Sequence, residues 1–427
     1  MRSSSFRRLR LAAWFTAVVA VCLVAAPASA QNTPSGSTTA APGVTDKTIT
    51  IGIVTSETGA GAPYFFDSPD GAKARFDVEN AKGGVFGRKL KLIAIDNATS
   101  PTQDAAGWQS LEQQGVFAVI GYDPLLFASY RYLTQQGIPV VGDGLDGPEW
   151  GQQPNTNMFN WANSLNPPHF PAYTGFGTFI KSLGAKNMAL LSVVSPSATA
   201  AMKADEVSLK KAGIKFDYTN YNLQFGTVDF TTEALAMKSA GSDGFASAVE
   251  PDSAIGLASS VKQQGIVTKA PMVGTGYAQK TIDDAQANQA GQNGWFAAQT
   301  VPFELKTAAT KGMQAGLKKY ASSAYKGGIP DGGLTGGWLS ADLVIRGLKD
   351  TGKDLSRTAY MKALSKVTDY TADGLLPSPV DLSHFGQDPP KSCMYWTKLS
   401  GKQFTGAKLV CGNLIPNSDQ IQASGAS

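Results

Sequence analysis

Histidine is almost missing from this chain of 427 residues, where His169 and His384 are the only two. Neither stands in an H-E-x-x-H run or beside a cysteine pair, so a zinc site has no ligands to build it and no metal is expected. Charge is also thin, at 16% of residues. Of the 37 basic residues, Arg2, Arg7, Arg8 and Arg10 lie ahead of the first acidic residue, Asp46; the other 33 balance 33 carboxylates. A neutral body with five further arginines (75, 88, 131, 346 and 357) lacks the footprint of a nucleic-acid binder. No Walker GK[ST] loop and no G-x-S-x-G elbow occurs. Gly59-Ala60-Gly61 imitates the start of a dinucleotide fingerprint, but its sixth position is Tyr64 and Pro63 removes an amide donor. No cofactor is expected. Carboxylate pairs such as Asp143 and Asp146 read as loop residues and helix caps, and catalysis finds no support.

Long apolar runs are confined to the amino terminus. Residues 1–10 are basic, Leu11 to Ala26 is apolar except for Thr16, and Ala28-Ser29-Ala30 offers a small-residue cleavage site. That pattern predicts a secretory signal peptide cleaved after Ala30, since the run is shorter than the roughly 20 residues that span a bilayer. Cys22 follows Val21, where a lipidation signal needs Gly, Ala or Ser, so it is expected to leave with the leader; Arg7-Arg8 leaves both the general and the twin-arginine export routes open. Residues 31–43 are uncharged Ser, Thr, Pro and Ala and read as a flexible tether, with folding starting near Val44.

Two cysteines remain in an oxidising compartment. Cys393 and Cys411 lie symmetrically about a Ser400-Gly401-Lys402 turn signal, which predicts a β-hairpin that faces them across two strands. A disulfide is the reading, worth roughly 3 kcal/mol for such a loop, against two buried thiols.

From Thr48 onward, short β-branched runs alternate with longer helical segments. Strands are expected at 48–54, 89–95, 117–120 and 139–141, with helices at 71–80, 102–114 and 127–136 between them. After Asn166-Pro167-Pro168 a second series begins, with strands at 187–194, 214–221, 244–249 and 271–273 and helices at 199–212, 230–240 and 253–264. This is the signature of βαβ units and of two similar α/β halves. Asp229 is placed to cap the helix at Phe230 and Gly241 to end it. Trp338, Ala341, Ile345 and Leu348 form one buried stripe of a long helix.

Open α/β sheets bind ligands beyond the carboxyl ends of their strands. Those positions hold Ser56 through Phe66, Tyr122-Asp123, Gly142-Asp143, Ser195 through Thr199, Glu250-Pro251-Asp252 and Gly276-Tyr277. A cleft between two such halves would have aromatic walls and a few polar anchors.

Asn80-Ala81-Lys82-Gly83-Gly84-Val85-Phe86-Gly87-Arg88-Lys89 strongly resembles a segment of the branched-chain amino acid (Leu/Ile/Val) binding proteins of ABC transporters. Ile49-Thr50-Ile51-Gly52, Gly71-Ala72, Asp96 with Pro101, Gly121, Gly137-Ile138-Pro139, Thr227-Val228-Asp229-Phe230 and Gly337 through Gly352 agree with it. The run itself is structural: Asn80 ends a helix, Gly83-Gly84 permits a left-handed turn, and Gly87 reverses the chain. The resemblance implies an α/β type I periplasmic-binding fold, two Rossmann-like lobes joined by three crossings near Phe159–Asn163, Ala298–Val301 and Thr371–Leu375. Lobe 1 would be residues 44–160 plus 301–371, and lobe 2 residues 161–300 plus 372–427.

The ligand residues of that family carry over in part. Tyr64 matches the aromatic of the first loop. Where the family holds the amino acid carboxylate with Ser or Thr, this chain has Tyr122-Asp123 and Gly142-Asp143; Ser195-Pro196-Ser197 replaces an aromatic, and the Glu that meets the ammonium falls at Thr275-Gly276, with Glu250 as a substitute. The candidate ligand residues are therefore Tyr64, Phe66, Tyr122, Asp123, Asp143, Ser195, Glu250, Tyr277 and Phe303. Asp123 and Asp143 would repel an anionic group, so the expected ligand has an apolar or planar body with hydroxyl, amide or cationic groups, and Leu, Ile and Val bind weakly or not at all. The expected protein is a non-enzymatic, monomeric binding protein of the periplasm or cell envelope, handing a small organic solute to an ABC permease. An extracellular ligand sensor for a receptor, and more remotely a secreted α/β hydrolase, are the alternatives.

Overall fold

Thr48–Thr55 is β-branched at every position except Gly52 and is buried along almost its whole length, which makes it a central strand. In the computed structural model, which describes residues 41–144, 148–150, 155–162, 171–383 and 388–418, this strand (β1) opens an almost regular alternation. It is followed by α1 (Ala62–Phe65), α2 (Ser68–Ala81), β2 (Lys89–Asp96), α3 (Pro101–Gln113), β3 (Ala118–Gly121), α4 (Leu126–Gln135), β4 (Val140–Gly142) and β5 (Met158–Asn160). The five strands form a wholly parallel sheet in the order β2-β1-β3-β4-β5. The leader, residues 31–40 of the tether, Asp146, His169, His384 and the Asn166-Pro167-Pro168 stretch lie outside the described residues.

The second half runs α5 (Thr174–Ser182), β6 (Asn187–Val193), α6 (Pro196–Ala212), β7 (Lys215–Leu223), α7 (Thr231–Ser239), β8 (Gly244–Ala248), α8 (Pro251–Gln263), β9 (Ala270–Gly274), α9 (Gln279–Asp283), α10 (Ala285–Gly291) and β10 (Trp295–Ala298). The chain then returns to the first sheet with α11 (Ala308–Tyr320), α12 (Gly332–Thr351) and α13 (Arg357–Leu364), and ends in the hairpin β11 (Lys391–Ser400) and β12 (Gln403–Asn413). Sheet two has the order β12-β11-β10-β9-β8-β6-β7, with β11 antiparallel to both of its neighbours and the other pairings parallel. Cys393 pairs with Cys411 across the hairpin and the two are disulfide-bonded.

Helix ends obey local chemistry. Ser195 caps α6 by accepting from the Ala198 N–H at 3.1 Å, Pro196 takes the first helical position, and Gly213 at φ 76° ends it. Gly83, Gly84 and Gly87 all have positive φ, as their turn requires, and the Asn80 side chain clips the turn to β2 through both Leu90 backbone groups. Asp229 works one residue earlier than expected: α7 starts at Thr231, whose N–H and hydroxyl the carboxylate accepts at 3.0 and 2.7 Å. Gly241 is left-handed, as foreseen.

The Trp338, Ala341, Ile345 and Leu348 stripe is buried in the core between α12 and the first sheet. Helix α12 crosses α2 at backbone contact, because a Cβ on Gly71, Gly333 or Gly337 would fall 2.2 Å or less from a carbonyl oxygen of the facing segment. Across this crossing Arg75 reaches Asp342 at 2.7 Å and Glu79 at 3.3 Å, while Lys349 closes on Glu79 at 2.6 Å. Arg75, Glu79 and Asp342 are buried and mutually hydrogen-bonded, the condition under which a buried ion pair is tolerated, with Lys349 half-exposed at the edge.

The first crossing begins at a strand, and the third differs from the expectation. Met158–Asn160 is itself the last strand of the first sheet, with Phe159 opposite Val141. Ala372, Leu375, Leu376, Val380 and Leu382 pack in the first core rather than in lobe 2, because Tyr370 and Val380 exchange backbone hydrogen bonds and the Leu382 N–H reaches the Val367 carbonyl at 2.7 Å. The third passage between sheets therefore falls after Leu382, not at Thr371–Leu375.

Candidate functional site

The carboxyl ends of both parallel sheets face one cleft, and Tyr64 stands in the middle of it. The residue is delivered by the short helix α1 after β1, where Pro63 sets the first turn. Its ring stacks on Tyr122 at 6.2 Å between centroids and meets Phe65 edge-on at 5.1 Å. Tyr122 is fully buried and donates its hydroxyl to the Gly332 carbonyl at 2.9 Å, tying the loop after β3 to the start of α12. Gly336 makes room for that ring, since a Cβ there would lie 2.1 Å from it. Burial pushes both phenols above their ordinary range, and the nearby Asp143 charge adds to the effect.

Tyr64 divides the cleft into two chambers. One encloses about 170 Å³. Its first-lobe wall is Tyr64, Phe65 and Pro124; the opposite wall is Val193, Ser195, Ser197, Ala198, Ala201, Phe225, Ala248, Val249, Glu250 and Thr275. The other, about 50 Å³, lies between Gly276, Tyr277, Ala278 and Lys280 on one side and Phe303, Asp331, Gly332 and Thr335 on the other, with Gln299 and Thr300 of a crossing segment at its end.

Five of the nine expected residues line this space: Tyr64, Ser195, Glu250, Tyr277 and Phe303. The remaining four do other work. Tyr122 is the floor beneath Tyr64. Phe66 sits at the rim, where the Lys280 ammonium lies 5.2 Å from its ring centre. Asp143 is buried, close enough to Tyr64 and Tyr122 to raise both phenols.

Asp123 turns away from the cleft. It accepts from Asn97 Nδ2 at 2.6 Å and from the Leu125 N–H at 3.0 Å and faces Asp104, whose own carboxylate accepts from Trp108 Nε1 at 2.9 Å and from Ser129. Burial and the neighbouring Asp104 carboxylate push the Asp123 carboxyl well above the ordinary range. The cleft wall at this loop is Pro124, which offers neither charge nor amide donor. The expected repulsion of anions by Asp123 thus loses its premise.

Tyr277 belongs to a hydrogen-bond cluster at a crossing. Its hydroxyl donates to Glu304 and accepts from the Phe303 N–H at 2.7 Å, while Thr397 of β11 donates to the other Glu304 oxygen at 2.5 Å. Asp331, Thr335, Gln299, Thr300 and Lys280 were not foreseen. Asp331 caps α12 by accepting from the Leu334 N–H at 2.9 Å. An Asp followed by two glycines ahead of an apolar stripe was the available signal, since it marks a helix start approached closely by another segment. The only ionic groups on the two chamber walls, among the described residues, are Glu250, Lys280 and Asp331. No cluster of metal ligands occurs among the described residues.

Two parallel α/β lobes with a cleft at the carboxyl ends of both sheets define a two-lobed binding protein of type I topology. Residues 48–403 match the family model for periplasmic binding proteins, and the chain belongs to that family. It is 26% identical over 200 residues to an amino acid binding protein of Pseudomonas aeruginosa and 28% identical over 112 residues to a Leu/Ile/Val-binding protein, BraC3, of Rhizobium johnstonii. These alignments take in 46% and 26% of this chain, and the chain spans 52% and 30% of those relatives. Solved structures share the fold along nearly the whole chain. A fatty acid ABC transporter substrate-binding protein from Thermomonospora curvata has a TM-score of 0.71 at 19% identity, covering 89% of this chain and 96% of that one. LivJ of Streptococcus pneumoniae, in complex with isoleucine, has 0.66 at 19%, covering 86% and 100%; an R. palustris solute-binding protein in complex with benzoate has 0.68 at 16%, covering 86% and 97%.

Proposed function

We propose that this protein is an exported, monomeric solute-binding protein that traps a small organic ligand between its lobes and delivers it, chemically unchanged, to the permease of an ABC transporter. The observation that carries this reading is the cleft itself, whose walls come from both lobes and meet at Tyr64. A ligand seated there touches both walls at once, so binding favours the closed arrangement, which a permease can recognise. The solved neighbours named as transporter substrate-binding proteins support the same use. Export is supported by the amino-terminal leader and the disulfide, which needs an oxidising compartment. Among the described residues no helix is long and apolar enough to cross a membrane.

The test is a solute library screened by thermal shift on the mature protein, followed by small-angle scattering with each hit. A ligand at one hundred times its dissociation constant stabilises by about 2.7 kcal/mol, and closure should shrink the radius of gyration. Saturation without any shrinkage, or turnover of the bound solute, would overturn the reading.

A further inference from the structure

The larger chamber has an uneven chemistry. Its first-lobe wall is two aromatic rings and a proline, and its second-lobe wall adds Phe225, Val193 and Val249. The one ionic group lining it is Glu250, 4% exposed. Glu250 precedes α8 at the cap position, yet makes no capping bond through its side chain; its Oε2 accepts from Ser253 Oγ at a long 3.3 Å, and the backbone N–H groups of Gly226 and of Glu250 itself also face the carboxylate. Ser195, Ser197 and Thr275 stand on the same wall. Lysine, arginine and histidine are all missing from the described lining, so an anionic ligand group would be desolvated beside a carboxylate with no cation to meet it. A cationic group finds the reverse, a buried carboxylate with hydroxyl acceptors around it and ring faces nearby.

Building on the solute-binding reading, we propose that the ligand is an aromatic amine without a carboxylate, its ring between Phe65 and Phe225 and its ammonium on Glu250. Pro124 supports the last part of that description, because it leaves the first-lobe wall at this loop without an N–H to donate to a carboxylate. Burial also raises the Glu250 pKa, so amine affinity should climb with pH until the carboxylate is fully ionised and then level off.

Calorimetry on the mature protein with 2-phenylethylamine, L-phenylalanine, benzoate and L-isoleucine tests this. The amine should bind; phenylalanine, which adds only a carboxylate to the same body, should bind at least tenfold more weakly, and benzoate and isoleucine should give no heat at the same concentrations. Glu250→Gln, checked for an unchanged melting curve, should weaken the amine tenfold or more and flatten its pH dependence. Phe225→Ala should weaken the amine while leaving the pH dependence in place. Phenylalanine, isoleucine or benzoate binding as tightly as the amine overturns the proposal, as does amine binding that ignores Glu250→Gln, or no amine binding at all. In each case the solute-binding reading stands if the wider library yields a ligand that closes the lobes, and falls only if that screen fails too.

Discussion

The crossing of α2 and α12 permits a prediction in which one chemical change has opposite signs at two places. Gly312 lies in the interior of α11, is exposed, and would meet nothing within 4 Å if a Cβ were added. Alanine there removes backbone freedom from the unfolded chain, and Gly312→Ala should stabilise by about 0.5–1 kcal/mol. Gly337, inside α12, has the same propensity to gain. Its new Cβ would stand 2.0 Å from the Ser68 carbonyl oxygen and 3.0 Å from the Ala72 nitrogen, both backbone atoms. Neither atom can rotate aside, so the helices must part by about 1 Å, and overpacking of this kind costs typically 1–3 kcal/mol, occasionally more. Gly337→Ala should therefore come out destabilised, and because the propensity gain is common to both sites the two variants should differ by the overpacking cost, about 1–3 kcal/mol. Parting the helices also draws Gly332 and Thr335 away from Tyr64, so ligand affinity should fall with stability. Urea denaturation of both variants at equal m-value measures the difference. A Gly337→Ala protein as stable as Gly312→Ala would refute the reasoning, because it would mean that the helices yield at no cost.

The Cys393–Cys411 disulfide joins residues 18 apart, and replacing both cysteines with serine should cost about 3 kcal/mol on the chain-entropy account; two alkylatable thiols in unreduced, denatured protein would contradict the bond. The Asp104–Asp123 pair has its proton affinity raised in the folded state, so its contribution to stability is complete below the ordinary Asp range and is lost as pH rises through the raised native values. Urea midpoints between pH 5 and 8 should fall less in Asp123→Asn than in the natural protein; part of the slope should persist, because Glu57, raised to about 7, and Asp67, raised to about 6, act with the same sign. Equal slopes would show that the Asp123 carboxyl is not raised in the folded state. Tyr277→Phe strips the acceptor from the Phe303 N–H and the donor from Glu304, a loss of about 1–3 kcal/mol at a crossing. Amide exchange at residues 299–305 should quicken, and unchanged exchange would mean that the tyrosine does not restrain that segment.

Much of the fold was readable because its signals are local. Helices announce themselves through Ser, Asp and Pro at their starts and left-handed glycines at their ends, and the disulfide follows from symmetry about one turn. Boundaries set by tertiary packing were not readable. Leu375, Val380 and Leu382 are apolar residues in an irregular segment, and nothing in their spacing says which of two cores will take them. The cleft divides the same way. The rule that ligands sit beyond strand ends finds the loops, and so finds Tyr64, Ser195, Glu250 and Tyr277. It does not say which side chain of a loop faces outward. Asp123 and Pro124 are neighbours, and the one with the carboxyl group points inward because Asn97 and the Leu125 N–H satisfy it there.

That one-residue difference shapes what closure requires. Direct bonds between the lobes near the mouth are few: the Gln279 N–H reaches the Ile329 carbonyl at 2.9 Å, and Lys280 lies over Phe66. Contacts of that kind are worth about 1 kcal/mol each, too little to hold two rigid bodies shut by themselves. In the larger chamber the first-lobe wall is Tyr64, Phe65 and Pro124 and offers a ligand apolar surface, while the one ionic group opposite is Glu250. A ligand then stabilises the closed form only if it contacts both, since an equilibrium moves by the difference in affinity between its two states. On the proposed reading, an apolar body alone would grip the Tyr64 wall and a bare ammonium would grip Glu250, so a molecule with both ends should draw the lobes together more strongly than either part alone.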